Sequence, residues 1–167
     1  VNTFDYVNNV IVNPLNGYVF VSGVYGLRRS KDGGTTWDSL LDSEALNAYY
    51  TEITMNSKGV LYAALSSRGI FRSADNGDTW TDITPSSFSV VGRTVIGHAP
   101  SDENTMYVIS YSSSTSHPLW KYTYSSGDGS GSNGTWTDLS LNIPAFGGRV
   151  GDFDSQGGYD LIIKVKP

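Results

Sequence analysis

The chain repeats itself, and that repetition limits its fold more than any other feature. Ser30-Lys31-Asp32-Gly33-Gly34-Thr35-Thr36-Trp37 recurs as Ser73-Ala74-Asp75-Asn76-Gly77-Asp78-Thr79-Trp80, a step of 43 residues. Gly26-Leu27-Arg28-Arg29-Ser30 aligns with Gly69-Ile70-Phe71-Arg72-Ser73 at the same step. A third, looser unit ends in Asn133-Gly134-Thr135-Trp136, with Ser- and Gly-rich residues inserted before it. In that unit Leu119-Trp120-Lys121-Tyr122 is expected to occupy the place of Gly-Ile-Phe-Arg. Repeats of this length are single supersecondary units that bury their apolar faces only by stacking on one another.

Each unit reads as four short strands. The first gives Asn9 to Asn13, Tyr18 to Ser22, Leu27 to Ser30 and Thr36 to Leu41. The second gives Glu52 to Met55, Val60 to Leu65, Ile70 to Ser73 and Thr79 to Ile83. The third gives Arg93 to His98, Thr105 to Tyr111, Leu119 to Tyr124 and Thr135 to Leu139. Leu161 to Val165 would begin a further unit. Asn16-Gly17, Lys58-Gly59 and Asp102-Glu103-Asn104 supply turn chemistry between strands. Ser43 to Tyr50 is the one stretch expected to form a helical turn. Four strands per unit at 40 to 45 residues is the signature of β-propeller blades. The expected fold is therefore all-β: about three blades of four antiparallel strands, spanning 6–41, 49–84 and 92–140, with the first strand of another at 160–167.

The eight-residue turn has its own chemistry. Its Ser hydroxyl and Asp carboxylate can hold backbone amides in a tight hairpin. Gly34 and Gly77 can adopt a positive φ without a Cβ clash. The Trp opens the last strand with a large apolar ring. Ser-x-Asp-x-Gly-x-Thr-Trp resembles the Asp-box, or BNR, repeat. Residues 30–37 and 73–80 match it in full, and 125–136 only in the Asn-Gly-Thr-Trp end. The resemblance implies that Ser30, Asp32, Gly34, Trp37, Ser73, Asp75, Gly77, Trp80 and Trp136 are structural. It also implies kinship with sialidases, xyloglucanase-type glycosidases and sortilin (Vps10) ectodomains. The aromatic-rich, low-charge style and the run 151–160 resemble large secreted sortilin-like bacterial proteins, so a secreted or cell-surface location is expected.

Propellers close with about four to eight blades. Three fall short, so the expected partners are the remaining blades of a parent chain or another copy. In this architecture the ligand face carries the loops between second and third strands and the loops between blades. The inter-blade loops contain Tyr49, Tyr50, Phe88, Phe146, Arg149, Asp152, Asp154 and Tyr159. Tyr49, Arg93, Arg149 and Tyr159 are the candidate ligand-binding residues, for a peptide or a glycan. The competing reading is a glycoside hydrolase of xyloglucanase or sialidase type, with Asp152 and Asp154 as carboxylate candidates. Ser22 stands near the position where the xyloglucanase pattern has an Asp, and the Arg-Ile-Pro signature of sialidases is absent. Arg28 and Arg72, near the turn serines, are read as structural.

Other chemistries find little support. The 167 residues carry 16 acidic side chains against 11 Lys and Arg, a net charge of −5, which gives no footprint for nucleic acid. No apolar run approaches the roughly 20 residues of a membrane helix. With no cysteine there is no disulfide and no thiolate ligand. Asp152 to Gly157 and Asp128 to Ser132 have calcium-loop spacing in part but lack the later bidentate acid. His98 and His117 form no zinc spacing, and His98 reads as a core or channel histidine. Neither a metal site nor a cofactor is expected.

Overall fold

The computed structural model describes residues 6–24, 26–41, 48–88, 92–112, 117–144, 158 and 160–167. It contains three antiparallel sheets of four strands each, in simple sequential order. The first comprises β1 (Val7–Val12), β2 (Val19–Gly23), β3 (Gly26–Ser30) and β4 (Asp38–Ser39). The second comprises β5 (Thr51–Met55), β6 (Leu61–Leu65), β7 (Gly69–Ser73) and β8 (Thr81–Asp82). The third comprises β9 (Thr94–Ala99), β10 (Asp102–Ser110), β11 (Leu119–Tyr124) and β12 (Gly134–Asp138). This is the all-β arc of propeller blades that the repeat implies.

Differences from the sequence reading are local. The outer strands β4 and β8 are two residues long, because the turn before each occupies the residues expected to extend them. The expected turn at Asp102-Glu103-Asn104 lies inside β10, where the register breaks between Asp102 and Met106. Of Ser43 to Tyr50, residues 48–50 are non-helical and the rest lie outside the described residues. The segment 161–167 has no strand assignment. Leu161 and Ile163 nevertheless pack on Val95 and Ile109 of the third sheet.

Two one-residue changes cancel to preserve the 43-residue step. The loop from β5 to β6 is one residue shorter than that from β1 to β2. The loop from β6 to β7 is one longer, since Leu65 pairs with Gly69 where Gly23 pairs with Gly26. Equivalent side chains therefore regain the same face after each slip.

The core lies between sheets. Phe20 and Leu27 of the first sheet meet Ile53, Leu61, Ala63 and Phe71 of the second. Tyr62 and Ile70 on the other face of the second meet Ile96, Met106, Val108 and Trp120 of the third. Burial depends on having a neighbour on that side. Val10, Ile53 and Ile96 occupy one repeat position, yet Ile53 is 0% and Ile96 8% exposed while Val10 is 54% exposed. Asn13 and Asn56, also equivalent, are buried and bridge to the next blade through Asn76 Oδ1 (3.0 Å) and the Glu103 carbonyl (3.1 Å).

The packing corrects the alignment of the third unit by one residue. Lys121 pairs with Tyr107 as Arg29 pairs with Phe20 and Arg72 with Tyr62. Lys121, rather than Tyr122, is the equivalent of those arginines. Tyr122 takes the place of the turn serine, and its hydroxyl donates to the Gly129 carbonyl at 2.6 Å. Arg29 is the equivalent of Arg72, as the 43-residue alignment has it. Both are buried against the turn of the following blade. Arg29 donates to the Asn76 carbonyl and Asp78 Oδ1, each at 2.7 Å. Arg72 donates to the Asp128 carbonyl at 3.3 Å and lies 4.3 Å from the Tyr124 ring centre. Arg28 turns to the opposite face and bonds Ser39 Oγ at 2.9 Å.

The two full turns are superimposable in their bonding. Asp32 Oδ1 accepts the Ser30 hydroxyl and the Thr36 amide, each at 2.8 Å, and Oδ2 accepts the Thr36 hydroxyl at 2.6 Å. Asp75 repeats this with Ser73 and Thr79 at 2.7, 3.0 and 2.6 Å. Gly34 and Gly77 have φ of 97° and 85°. For Asp32 the Thr36 hydroxyl and amide and the Ser30 hydroxyl lower the carboxyl pKa to about 2. For Asp75 burial opposes the shift, but the Thr79 and Ser73 bonds outweigh it and hold the pKa at about 2. A lowered folded-state pKa means stability present above the ordinary value near 3.8 and lost as pH falls toward 2. Asp75→Ala, which orphans an amide in a packed turn, should cost roughly 1–2 kcal/mol at pH 7. In urea titrations its deficit against the wild type should shrink steadily below pH 4.

His98 on β9 packs against the Tyr62 ring across the second blade junction, centroids 5.1 Å apart. Neither ring nitrogen has a hydrogen-bond partner. Burial lowers its pKa to about 4, against a small opposing pull from Glu103. The unfolded chain therefore binds a proton below pH 6.5 that the folded chain refuses until about pH 4. Stability should fall across that window by roughly 1–3 kcal/mol. His98→Met, which installs the residue found at the equivalent Met55, should flatten the melting temperature between pH 7 and 4.

Candidate functional site

The first strands of successive sheets, β1, β5 and β9, run side by side. Their N-terminal ends bring polar groups from all three blades together. Asn8 Nδ2 donates to the Thr51 carbonyl at 3.1 Å. Asn9 Nδ2 donates to Glu52 Oε1 at 2.8 Å and to the Ile53 carbonyl at 3.0 Å. Glu52 lies on the side of β5 that faces the third blade, where the charge of Arg93 acts on it. Burial raises the Glu52 pKa, and the Asn9 bond and Arg93 offset this only in part. Arg93 Nη1 also donates to the Gly158 carbonyl at 3.3 Å.

The setting is built by close packing. A Cβ on Gly92 would lie 2.7 Å from Tyr111 Cδ1, and one on Gly158 3.1 Å from Tyr111 Cβ. Tyr111 meets the buried His117 edge-on, ring centres 5.4 Å apart. Thr51 Oγ1 donates to the Gly23 carbonyl at 2.6 Å, and the Thr94 and Ser110 hydroxyls lie 2.8 Å apart. These bonds engage the Thr51, Thr94 and Ser110 hydroxyls and fix the strand ends that carry Glu52 and Arg93.

Of the ligand candidates named from the sequence, Arg93 sits in this row. Tyr49, two residues before β5, is 65% exposed. Arg149, Tyr159, Asp152 and Asp154 lie outside the described residues, as does Phe146. Phe88 is buried against Trp120, edge to face at 5.9 Å, and is a core residue. Ser22 is fully buried and has no hydrogen-bond partner for its hydroxyl. Asp128 is occupied by its own turn, accepting the Ser130 amide and hydroxyl at 2.9 Å each. Among the described residues no group of three or more His, Cys, Asp or Glu could hold a metal ion. No described helix is long and apolar enough to cross a membrane.

Sequence reasoning missed Glu52. It reads as an ordinary strand residue, because nothing local marks it. The available signal was the repeat itself. Asn9, Glu52 and Val95 share one position, and two polar residues at one position of the first strands stand out once the blades are stacked. As an arrangement, the row offers a fixed acceptor, an adjacent cation and an exposed aromatic ring. That equipment suits hydroxyl-rich or peptide ligands.

Glu52→Gln keeps the acceptor for Asn9 and removes the buried charge. A raised carboxyl pKa means that ionisation favours unfolding, so the wild type should gain stability as pH falls through that pKa. The variant should lose this dependence and melt at or above the wild-type temperature at pH 7, a difference of up to about 1 kcal/mol. Calorimetric melting at pH 7 and pH 4 measures it.

The sequence matches no family model and no curated protein. Solved structures do match in fold. A GH74 xyloglucanase from Xanthomonas campestris aligns with 86% of the chain at a TM-score of 0.59 and 18% identity. A GH74 enzyme from Niastella koreensis aligns with 83% at 0.58 and 18%. The intramolecular trans-sialidase from Ruminococcus gnavus, in complex with oseltamivir carboxylate, aligns with 80% at 0.52 and 14%. The chain spans 23% of the length of each of the first two and 33% of the third. At these identities the likeness establishes the fold.

Proposed function

We propose that this chain supplies three blades of an Asp-box propeller that acts as a non-catalytic binding module in a secreted or cell-surface protein. Its ligand is a glycan or a peptide held at the N-terminal ends of β1, β5 and β9. The observation that carries this reading is the row Asn9, Glu52 and Arg93. Three blades contribute to it, and the Asn9 amide holds the Glu52 carboxylate in place as an acceptor. Tyr49, two residues before β5 and exposed, extends the same face, and Arg149 and Tyr159 remain ligand candidates from the sequence alone. The exposed Val10 side of the first blade supports a further blade as partner, from the rest of a longer chain or from another copy.

The second reading, part of a glycoside hydrolase, draws on the fold shared with the xyloglucanases and the trans-sialidase. Hydrolysis needs two carboxylates across the scissile bond. Glu52 would be one, and Asp152 or Asp154 the other. The readings separate in one experiment on the full-length protein. Xyloglucan oligosaccharides and a peptide library are titrated calorimetrically while reducing ends are assayed. The binding reading expects a saturable ligand, no new reducing ends, and affinity reduced at least fivefold by Arg93→Ala. Release of reducing ends that disappears in Asp152→Asn or Asp154→Asn would establish the hydrolase instead.

A further inference from the structure

We infer that the outer cleft between the first and second blades is a second ligand site, and that it takes an uncharged glycan against the Trp80 indole. The cleft has a volume of about 410 Å³ and is lined by Arg29, Asp38, Ser39, Leu40, Gly77, Asp78 and Trp80. That volume lies within the range of small-ligand pockets, about 300–1,000 Å³. It sits at the outer strand β4, far along the blade from the row on β1, β5 and β9, and goes beyond the function proposed above.

Three observations carry it. The first is preorganisation. Trp80 Nε1 donates to the Gly77 carbonyl at 3.1 Å, which fixes the plane of the indole while the ring stays partly exposed. A rigid aromatic face is what a sugar ring stacks on, and fixing it in advance lowers the cost of binding. The second is the polar wall. Arg29, 5% exposed, holds Asp38 Oδ2 at 3.0 Å and Asp78 Oδ1 at 2.7 Å. Those two carboxylates are 55% and 59% exposed, so each keeps lone pairs free for sugar hydroxyls. Lys31 Nζ approaches Asp78 at 3.9 Å, so two cations balance two carboxylates and the cleft favours a neutral ligand. The buried Nε of Arg29 has no hydrogen-bond partner.

The third observation is recurrence. The next junction has a cleft of about 220 Å³ at the same place, with Ile83 and Asp82 where the first has Leu40 and Ser39, and Trp136 where it has Trp80. Polar residues line this cleft too, here Asp82, Thr84 and Ser86. Trp136 Nε1 is likewise fixed, by the Ile83 carbonyl at 2.6 Å. The smaller cleft keeps the wall and the ring but lacks the paired carboxylates on a buried arginine, so the first is the principal site.

The test uses the full-length protein with two probes, cellotetraose and tetragalacturonic acid. Calorimetry reads affinity, and NMR reads the indole N–H signal of Trp80, assigned by Trp80→Phe. Cellotetraose should bind saturably and move the Trp80 signal, and tetragalacturonic acid should do neither. Asp38→Asn with Asp78→Asn keeps the shape of the Arg29 contacts and should weaken cellotetraose at least fivefold. Lys58→Ala, at an exposed turn residue outside both sites, should leave that affinity unchanged. An unmoved Trp80 signal in the wild type at saturating cellotetraose overturns the inference without reliance on any variant. Binding that is lost in Glu52→Gln and kept in the Asp38/Asp78 variant also overturns it, and assigns the glycan to the inner-strand row.

Discussion

Everything in this chain depends on one sheet stacking on another. A four-stranded sheet with apolar residues on both faces cannot satisfy itself. Phe20 and Leu27 are buried only because the second blade stands against them, and Ile53 only because the first does. The contrast with Val10, chemically alike and placed at the same repeat position, isolates the cause. Without a neighbour on that face, the same strand leaves its valines in solvent.

Stacking two flat surfaces leaves them free to slide, and polar contacts set the offset. Arg29 and Arg72 reach from one blade into the turn of the next, Asn13 does the same from the end of the first strand, and Asn56 reaches the Glu103 carbonyl in β10. Such contacts need a rigid target. The carboxylates of Asp32 and Asp75 provide it locally by gathering a hydroxyl, an amide and a second hydroxyl each. The turn is thus both a hairpin closure and the surface on which the preceding blade is registered. In the third blade Tyr122 closes the turn by a different bond, and Trp136 reaches back to the Ile83 carbonyl where Trp37 and Trp80 bond the glycine carbonyl of their own turn. The junction survives a change of chemistry because its geometry is preserved.

The same stacking creates both the polar row and the outer cleft. The first strands converge, and the polar row of Asn9, Glu52 and Arg93 forms where three of them meet. The outer strands are short, and the turn of one blade meets the last strand of the blade before it around a cleft. Each surface therefore belongs to a junction rather than to a blade. A substitution in one blade is felt by the polar groups of its neighbour.

Twelve strands, their order and their grouping into blades were legible in the residues, because the Ser-x-Asp-x-Gly-x-Thr-Trp turn and the 43-residue step are local, regular signals. Arg93 was also legible as a residue of the inner strand start. Glu52 was not, since its partner Asn9 lies 43 residues away on another sheet and burial, a property of the stack, is what sets its charge state. The equivalence of Lys121 with Arg29 and Arg72 was hidden for a related reason. A one-residue shift leaves composition intact but turns every side chain to the other face, and only the pairing with Tyr107 reveals which face that is. The sequence by itself determined the repeating unit and the turn chemistry, which act over a few bonds. Tertiary structure decided which positions are buried, which arginine bridges blades and where the clefts lie, because those depend on the sheet that stands opposite.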